Sequence, residues 1–362
     1  MHSTRLALLI MLAVTPLRAE VFCVANPAAL ESALQTAAVN DEDDEIRIRA
    51  GTYGLPHPHQ GYEYLGNQAE EFDVEISGDW WPFFGTSCAF QRNNPFSTIL
   101  DGDDEWRLLR IDIDAEDSNV TVRLLSFING TAPGNERGGG LEILVGPSGI
   151  IKVERNTFLL NTAYAGGGLK VTGGLLQQVT NNLFLANNGG ISASAAELVG
   201  GHLGGIYFTN NTVISNTLDD VDPTRAALNA YSQVGVLLAN NNFWDNDGHD
   251  ASLPWIQGDD DLMHVVRNNN YRSISINGPR VVEDNIAVIP EYESGLFNYT
   301  PIRGSPLVDA GIEPPGTISF WYLTDVDLRG TDRVVGSAVD IGAYENDRIF
   351  GNGFDPSGPF GV

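Results

Sequence analysis

The chain is poor in the residues that most often announce chemistry. It holds two cysteines, two lysines (Lys152 and Lys170) and six histidines in 362 residues. Two cysteines cannot staple a disulfide-dense scaffold, and no histidine lies within a few residues of Cys23 or Cys88, which argues against a zinc site. In an oxidising compartment the pair is expected to form one disulfide tying the N-terminus to a later loop; the alternative is two buried free thiols. Basic residues are scarce throughout, 20 Lys plus Arg against 47 Asp plus Glu, which leaves a net charge of −27. Such a surface repels nucleic acid and anionic lipid, and it repels polyuronates unless cations bridge the carboxylates. After residue 19 no apolar run approaches the ~20 residues needed to span a bilayer. A Gly-x-Ser-x-Gly elbow and a phosphate-binding glycine loop are both absent.

What is present begins with a candidate secretory signal. Arg5 supplies positive charge, Leu6 to Leu12 is apolar, and Leu17-Arg18-Ala19 offers a small residue for cleavage. An exported mature chain is therefore expected. Beyond it one phrase returns six times: Leu125-Ser126-Phe127, Asn156-Thr157-Phe158, Asn182-Leu183-Phe184, Asn211-Thr212-Val213, Asn241-Asn242-Phe243 and Asn269-Asn270-Tyr271. Its third positions are 31, 26, 29, 30 and 28 residues apart. A repeat of this length, made of short apolar runs and Gly/Asn turns, marks a solenoid whose units bury their apolar face only by stacking. The fold class expected is all-β, a single right-handed parallel β-helix, because crossovers between parallel strands are overwhelmingly right-handed.

An N-terminal cap is legible too. Asn26 precedes Pro27, a favoured pair for a helix start, and Ala29, Leu30, Ala33, Leu34 and Ala37 form an apolar stripe at helical spacing. This helix is expected to cover the open end of the stacked sheet. The acidic run Asp41 to Glu45 reads as a solvated loop, and Ile46 to Tyr53 as an alternating strand. Residues 54–98, with Tyr62, Tyr64, Trp80, Trp81, Phe83 and Phe84, read as an insertion around the first coil, held by the disulfide. Gly138 to Gly140 and Gly166 to Gly168 suit tight corners. Runs such as Asn181-Asn182 and Asn240-Asn241-Asn242 suit a side-chain ladder along the stack rather than an active site. The expected divisions are a signal (1–19), a strand and capping helix (20–45), the β-helix (46–300), a C-terminal segment (301–346) and a tail (347–362).

Candidate chemistry is sparse. Asp219, Asp220 and Asp222 place three carboxylates within four residues, enough to hold a hard cation such as calcium, and Arg225 follows them. With a basic residue to take the proton beside a uronate carboxylate, such a cluster is what a polysaccharide lyase needs, and Asp220 and Arg225 are the catalytic candidates. Asp245 to Asp250 is a second acidic loop, without the spacing of a true EF-hand. His57 and His59 are separated by one residue, which suits a shared metal or an exposed Pro-rich loop. Gly258-Asp259-Asp260-Asp261 and Gly201-His202-Leu203-Gly204 are similar to polygalacturonase signatures but stand in reverse order, with no Arg-Ile-Lys phrase after them. Trp80 and Trp81 are candidates for stacking on sugar rings, or for folding over the first coil as a lid.

Taken together, the opening Asp44 to Tyr53, the phrase Thr98 to Gly102, the glycine triplets, and the pair Ser305 to Gly311 and Asp340 to Glu345 resemble β-helix proteins with a choice-of-anchor Q domain. The resemblance covers residues 24–346 and is most specific at the C-terminal pair. It implies a bacterial, exported and surface-associated protein with a variable sorting tail. Ile349 to Asp355 resembles the short Ile-Phe-x-x-Gly-Phe-acid ending of many exported gammaproteobacterial proteins. The scaffold also resembles the pectin-lyase superfamily. The function expected is therefore a monomeric, non-catalytic exported β-helix presenting a long face to glycans or other surface molecules. The alternative is a calcium-assisted polysaccharide lyase or a glycoside hydrolase. A groove where carboxylates and an arginine converge would separate the two.

Overall fold

The computed structural model describes residues 19–66, 72–85, 87–113, 115–219, 224–254, 263–295 and 297–347; residues 1–18 of the expected signal and 348–362 of the expected tail lie outside them. The chain winds through three sheets in turn. Sheet A runs from Glu20–Val24 through Asp44–Arg49, Val74–Trp81, Val120–Arg123, Ile150–Glu154, Leu176–Thr180, Gly205–Thr209, Val236–Ala239 and His264–Arg267 to Arg280–Glu283. Sheet B runs from Gly51–Gly54 through Thr98–Asp101, Ser126–Ile128, Thr157–Leu159, Leu183–Leu185 and Thr212–Ile214 to Asn242–Trp244. Sheet C runs from Tyr62–Leu65 through Leu109–Ile113, Leu141–Val145, Leu169–Gly173, Ala193–Gly200, Ala226–Tyr231 and His249–Leu253 to Ile274–Ile276. Neighbours within each stack are parallel; the short strand Phe90–Gln91 joins Val74–Trp81 antiparallel. This is the expected all-β parallel β-helix with one N-terminal helix.

Five of the six repeated phrases fall on strands of sheet B, and the sixth, Asn269 to Tyr271, follows by a single bridge from Asn270 to Asn242. Register places Phe127 beside Phe158, Phe158 beside Phe184, Phe184 beside Val213 and Val213 beside Phe243, all facing inward. The rings of Phe127, Phe158 and Phe184 stack at 5.0 and 4.8 Å. Where Val213 interrupts the column, Phe208 from sheet A fills the space and contacts Phe184 and Phe243 at 6.0 and 6.1 Å. The small side chain and the extra ring compensate, as close packing demands.

Asparagine pairs build the corner between sheets A and B, and each member has its own task. The first bends the chain: Asn181, Asn210, Asn240 and Asn268 have φ of 55°, 56°, 57° and 51°, a left-handed conformation that asparagine tolerates better than most residues. The second ladders: Asn156, Asn182, Asn211, Asn241, Asn269 and Asn285 each accept, on Oδ1, the backbone N–H of the equivalent residue one coil earlier. A second ladder of Asn161, Asn187, Asn216 and Asn246 runs along the other end of sheet B, and the sequence pattern had not singled it out. Both satisfy buried backbone groups at corners, where no sheet partner exists.

At the N-terminus, helix α1 (Pro27–Ala37) starts as expected, with the Asn26 side chain accepting from Ala29 N–H. Leu30, Ala33, Leu34 and Ala37 are buried beneath the first coil. Cys23 and Cys88 form a disulfide, with Cα atoms 5.6 Å apart. Two expectations are corrected here. Residues 54–98 are not an insertion, because Tyr62–Leu65 and Val74–Trp81 are full rungs of sheets C and A, with Tyr62 and Tyr64 buried. The acidic run is not wholly solvated either. Asp44 opens a strand, lies buried and accepts from Asn40 Nδ2 at 2.8 Å, and desolvation pushes its carboxyl up to about 6.

The C-terminal segment straps back over two of the three sheets. Trp321 packs on Leu237 and Ala239 of sheet A, with Tyr207, Val265, Ile312 and Ile318 around it. Leu328, Ala343 and Tyr344 pack on Leu183, Leu185 and Ile214 of sheet B. The two phrases Ser305 to Gly311 and Asp340 to Glu345 meet: Ile341 N–H donates to Leu307 O, and Gly311 N–H to Val339 O. Arg333 and Glu345, both buried, pair at 3.0 Å, while Asp327 Oδ2 accepts from Glu345 N–H. Arg155 ties this knot to the helix by donating to Asp327 O. Burial outweighs the attraction of Arg333 and pushes Glu345 up to about 8. Among the described residues, no helix is long and apolar enough to cross a membrane.

Candidate functional site

The strap's hydrogen bonds run to sheets A and B and to the corner between them, which leaves sheet C outside its path. Side chains alternate along each strand, so every second residue of sheet C points outward. Register aligns these outward residues into one row: Glu63, Arg110, Glu142, Lys170, Glu197, Asn229, Ser252 and Ser275. At the ~4.8 Å spacing of parallel strands the row is about 34 Å long. Its first five members alternate in charge, the arrangement that directly opposed cross-strand pairs favour.

Flanking turns deepen the row. Thr162–Ala163 and Asn188–Gly189 form a small parallel sheet, continued by bridges from Thr131 to Thr162 and from Asn188 to Thr217. This stack of turns lies beside sheet C because glycines let the chain turn sharply into it. Gly138 has φ +67°, and a Cβ there would come within 2.6 Å of Leu141 O. Arg107, almost fully buried, clamps the wall to the floor. Its Nε and Nη2 donate to Gly138 O and Arg137 O, Nη2 lies 2.7 Å from Glu136, and Nη1 lies 2.9 Å from Glu142.

At the centre, Lys170 Nζ lies 2.8 Å from Glu197 Oε2, and Arg137 Nη1 reaches the same oxygen at 3.1 Å. Lys170 and Glu197 are only 5% and 4% exposed, so both charges have been taken out of water. Desolvation lowers the Lys170 ammonium from its ordinary range, against the pull of Glu197. It raises the Glu142 carboxyl, against Arg107 and Arg110. The phenol of Tyr231, on the neighbouring outward column, is pushed up by burial and by the Glu197 charge. Four of the chain's 20 basic residues (Arg107, Arg110, Arg137 and Lys170) gather here, each paired with a carboxylate.

The residues singled out from sequence fall elsewhere or take other roles. Asp219 and Arg225 lie on the turns beside sheet C, where Asp219 Oδ1 accepts from Asn188 Nδ2 and Arg225 Nη1 donates to Gly190 O. Asp220, Asp222 and the stretch Asp259 to Asp261 lie outside the described residues. In the loop 245–250 the carboxylates serve the backbone: Asp247 accepts from Leu218 N–H, and buried Asp250 from Arg272 and Ser273 N–H. His57 and His59 diverge, His57 Nε2 lying 3.1 Å from Glu31 and His59 packing edge-on to Trp106. Among the described residues no group of three His, Cys, Asp or Glu side chains is placed to hold a metal.

The aromatic cluster is split. Trp80 and Trp81 are partly buried, each with one face covered by a guanidinium, Arg47 at 4.3 Å and Arg92 at 4.1 Å. Their indole N–H groups donate to Ser77 Oγ and Asp79 Oδ1. Phe83 and Phe84 are the open members, 73% and 81% exposed.

Comparison with known proteins adds little to this geometry. No family model matches the chain and no curated protein matches it. Among solved structures, the crystal structure of pectate lyase Pel9A superposes over 91% of this chain and 98% of that chain, at 13% identity and a TM-score of 0.40. That superposition is too loose to argue from, and the fold rests on the strand pairing itself.

Proposed function

We propose that this is an exported β-helix protein that binds glycan along the outward row of sheet C without turning it over. The observation that carries the reading is the internal pairing of the row. Lys170 and Arg137 are held by Glu197, and Arg107 by Glu136 and Glu142. A general base or acid must be free to exchange its proton with substrate. A binding face has no such need, and buried, paired groups hold their geometry without reorganising. Hydroxyl-rich ligands suit such a surface, because paired carboxylates still accept and paired guanidinium groups still donate.

The second reading is a polysaccharide lyase, and one feature favours it. Lys170 is a desolvated amine, shifted toward the neutral form that a proton-abstracting base requires, with Arg137 beside it and half exposed. The test separates the two. Purified protein is incubated with pectate, alginate and neutral glycans in millimolar calcium, following binding, unsaturated product and reducing ends. Binding without product supports the first reading. A robust rate abolished by Lys170→Met would overturn it and install the second.

A further inference from the structure

The row of sheet C ends blindly at its N-terminal head. Helix α1 lies across that end, and Tyr64 of the first sheet C strand reaches back to donate to Ala37 O at the end of the helix. Between the helix and this strand is a cleft of about 180 Å³, lined by Glu31, Gln35, Val39, Gln60, Glu63 and Leu65. Glu63 is also the first member of the row, so cleft and row form one continuous surface.

The lining has a definite chemistry. Two carboxylates and two carboxamides converge, offering acceptors and donors together but no cation; His57 stands at the edge, against Glu31. Val39 and Leu65 are exposed apolar side chains on the same walls. Acceptors for paired hydroxyls, amides that serve either way, and an apolar patch for a C–H face are what one neutral sugar unit requires. A uronate would place its carboxylate among Glu31 and Glu63, whose like charges oppose it. Gly61 lets this floor strand pack closely on the next, since a Cβ there would lie 1.9 Å from Arg107 O.

We propose that this cleft is an end subsite that takes the terminal, uncharged sugar of a glycan whose chain lies along the row. The proposal rests on the glycan-binding reading above and adds that the protein recognises chain ends. The experiment compares soluble glucan, mannan and galactan, each as long polymer and as a short-chain digest of equal mass, by calorimetric titration. The variants are Gln35→Leu with Gln60→Leu in the cleft, and Glu197→Gln in the row. Gln35 and Gln60 are exposed, whereas Glu197 is buried against Lys170, so circular dichroism and urea unfolding check the fold of every variant. The expected result is at least tenfold more binding per unit mass to the digest of one glycan than to its polymer, with that advantage lost in the cleft variant. Equal binding to digest and polymer, unchanged in the cleft variant and weakened by Glu197→Gln, would overturn the end subsite and leave the row standing. No binding of any of these glycans would overturn both.

Discussion

The interior ladder makes a sharp energetic prediction at Asn211. Its side chain is fully buried and does four things: Oδ1 accepts from Asn182 N–H at 2.9 Å and from Asn182 Nδ2 at 3.1 Å, while Nδ2 donates to Val179 O at 2.8 Å and to Asn241 Oδ1 at 3.1 Å. In Asn211→Ala some partners are still served. Asn182 Nδ2 keeps Val153 O and Thr180 O, and Asn241 Oδ1 keeps the backbone N–H of residue 211. What is stranded is the Asn182 N–H, and Val179 O loses its side-chain donor, both buried where water does not reach. At about 1–3 kcal/mol for each of the two buried groups, the cost is about 2–6 kcal/mol. Urea unfolding followed by circular dichroism measures it as a lower midpoint at an unchanged slope. The control is Asn188→Ala, whose amide donates to Asp219 at the surface, with an expected effect within about 0.5 kcal/mol. Equal midpoints for the two variants would refute the ladder argument.

Three further outcomes follow from the same structure. Replacing Cys23 and Cys88 by serine releases a crosslink over a sequence separation of 65 residues and is expected to cost about 4 kcal/mol on the chain-entropy estimate, read by urea titration. Phe184→Ala opens the middle of the ring stack and is expected to cost about 3–5 kcal/mol, more than Phe83→Ala at the exposed loop, measured the same way. Stability should fall with rising pH, because Glu345 titrates at about 8 in the folded chain against an ordinary 4.5, and Asp340 at about 6 against 3.8. Raised acid groups hold their proton in the folded state, so stability is full below the ordinary values and is lost as pH climbs through the folded ones. Thermal unfolding from pH 5 to 9 should show this slope, and Glu345→Gln should flatten its upper part; a wild-type melting temperature that rises from pH 6 to 8 would contradict it.

Much of the scaffold was legible because its causes are local and repeat. Asn26-Pro27 announces the helix, glycine triplets mark corners, and the Asn-x-Phe phrase tracks sheet B. Even so, the pattern followed Asn182 and Asn211 and passed over Asn161, Asn187, Asn216 and Asn246, which repeat at the same spacing of 26, 29 and 30 residues but without a shared apolar residue after them. Phe208 was also unreadable as part of the ring stack, since it comes from sheet A to fill a gap at Val213. The row of sheet C was missed for a physical reason. Its members lie on successive coils separated by turns of unequal length, so no period connects Glu63, Arg110, Glu142, Lys170 and Glu197. One signal was available: Glu142 and Lys170 each follow a glycine triplet by two residues. The candidates chosen instead were runs of acid in the chain, and stacking turns Asp247 and Asp250 toward backbone N–H groups of neighbouring coils, 29 and 23 residues away.

The choice of sheet C over the other faces rests on what charge burial costs. Transferring Lys170 and Glu197 out of water carries a desolvation penalty of several kcal/mol per ion, which an isolated pair seldom repays in full. Elsewhere in this chain such expense has a visible structural return: Arg333 closes the knot by donating to Asp340 O and Gly342 O, and Arg155 anchors that knot to the β-helix. On sheet C, Arg107 gives a similar return by fastening the turn at Gly138. Lys170 fastens only strands that the parallel ladder from Leu169 to Gly173 already holds to Ala196–Gly200, while Glu197 also takes Arg137 of the flanking turn at 3.1 Å. Two apolar residues in those positions would keep the sheet and remove the penalty. A buried lysine that the parallel ladder does not require, on the face the strap leaves open, is the observation that supports the proposed glycan-binding reading.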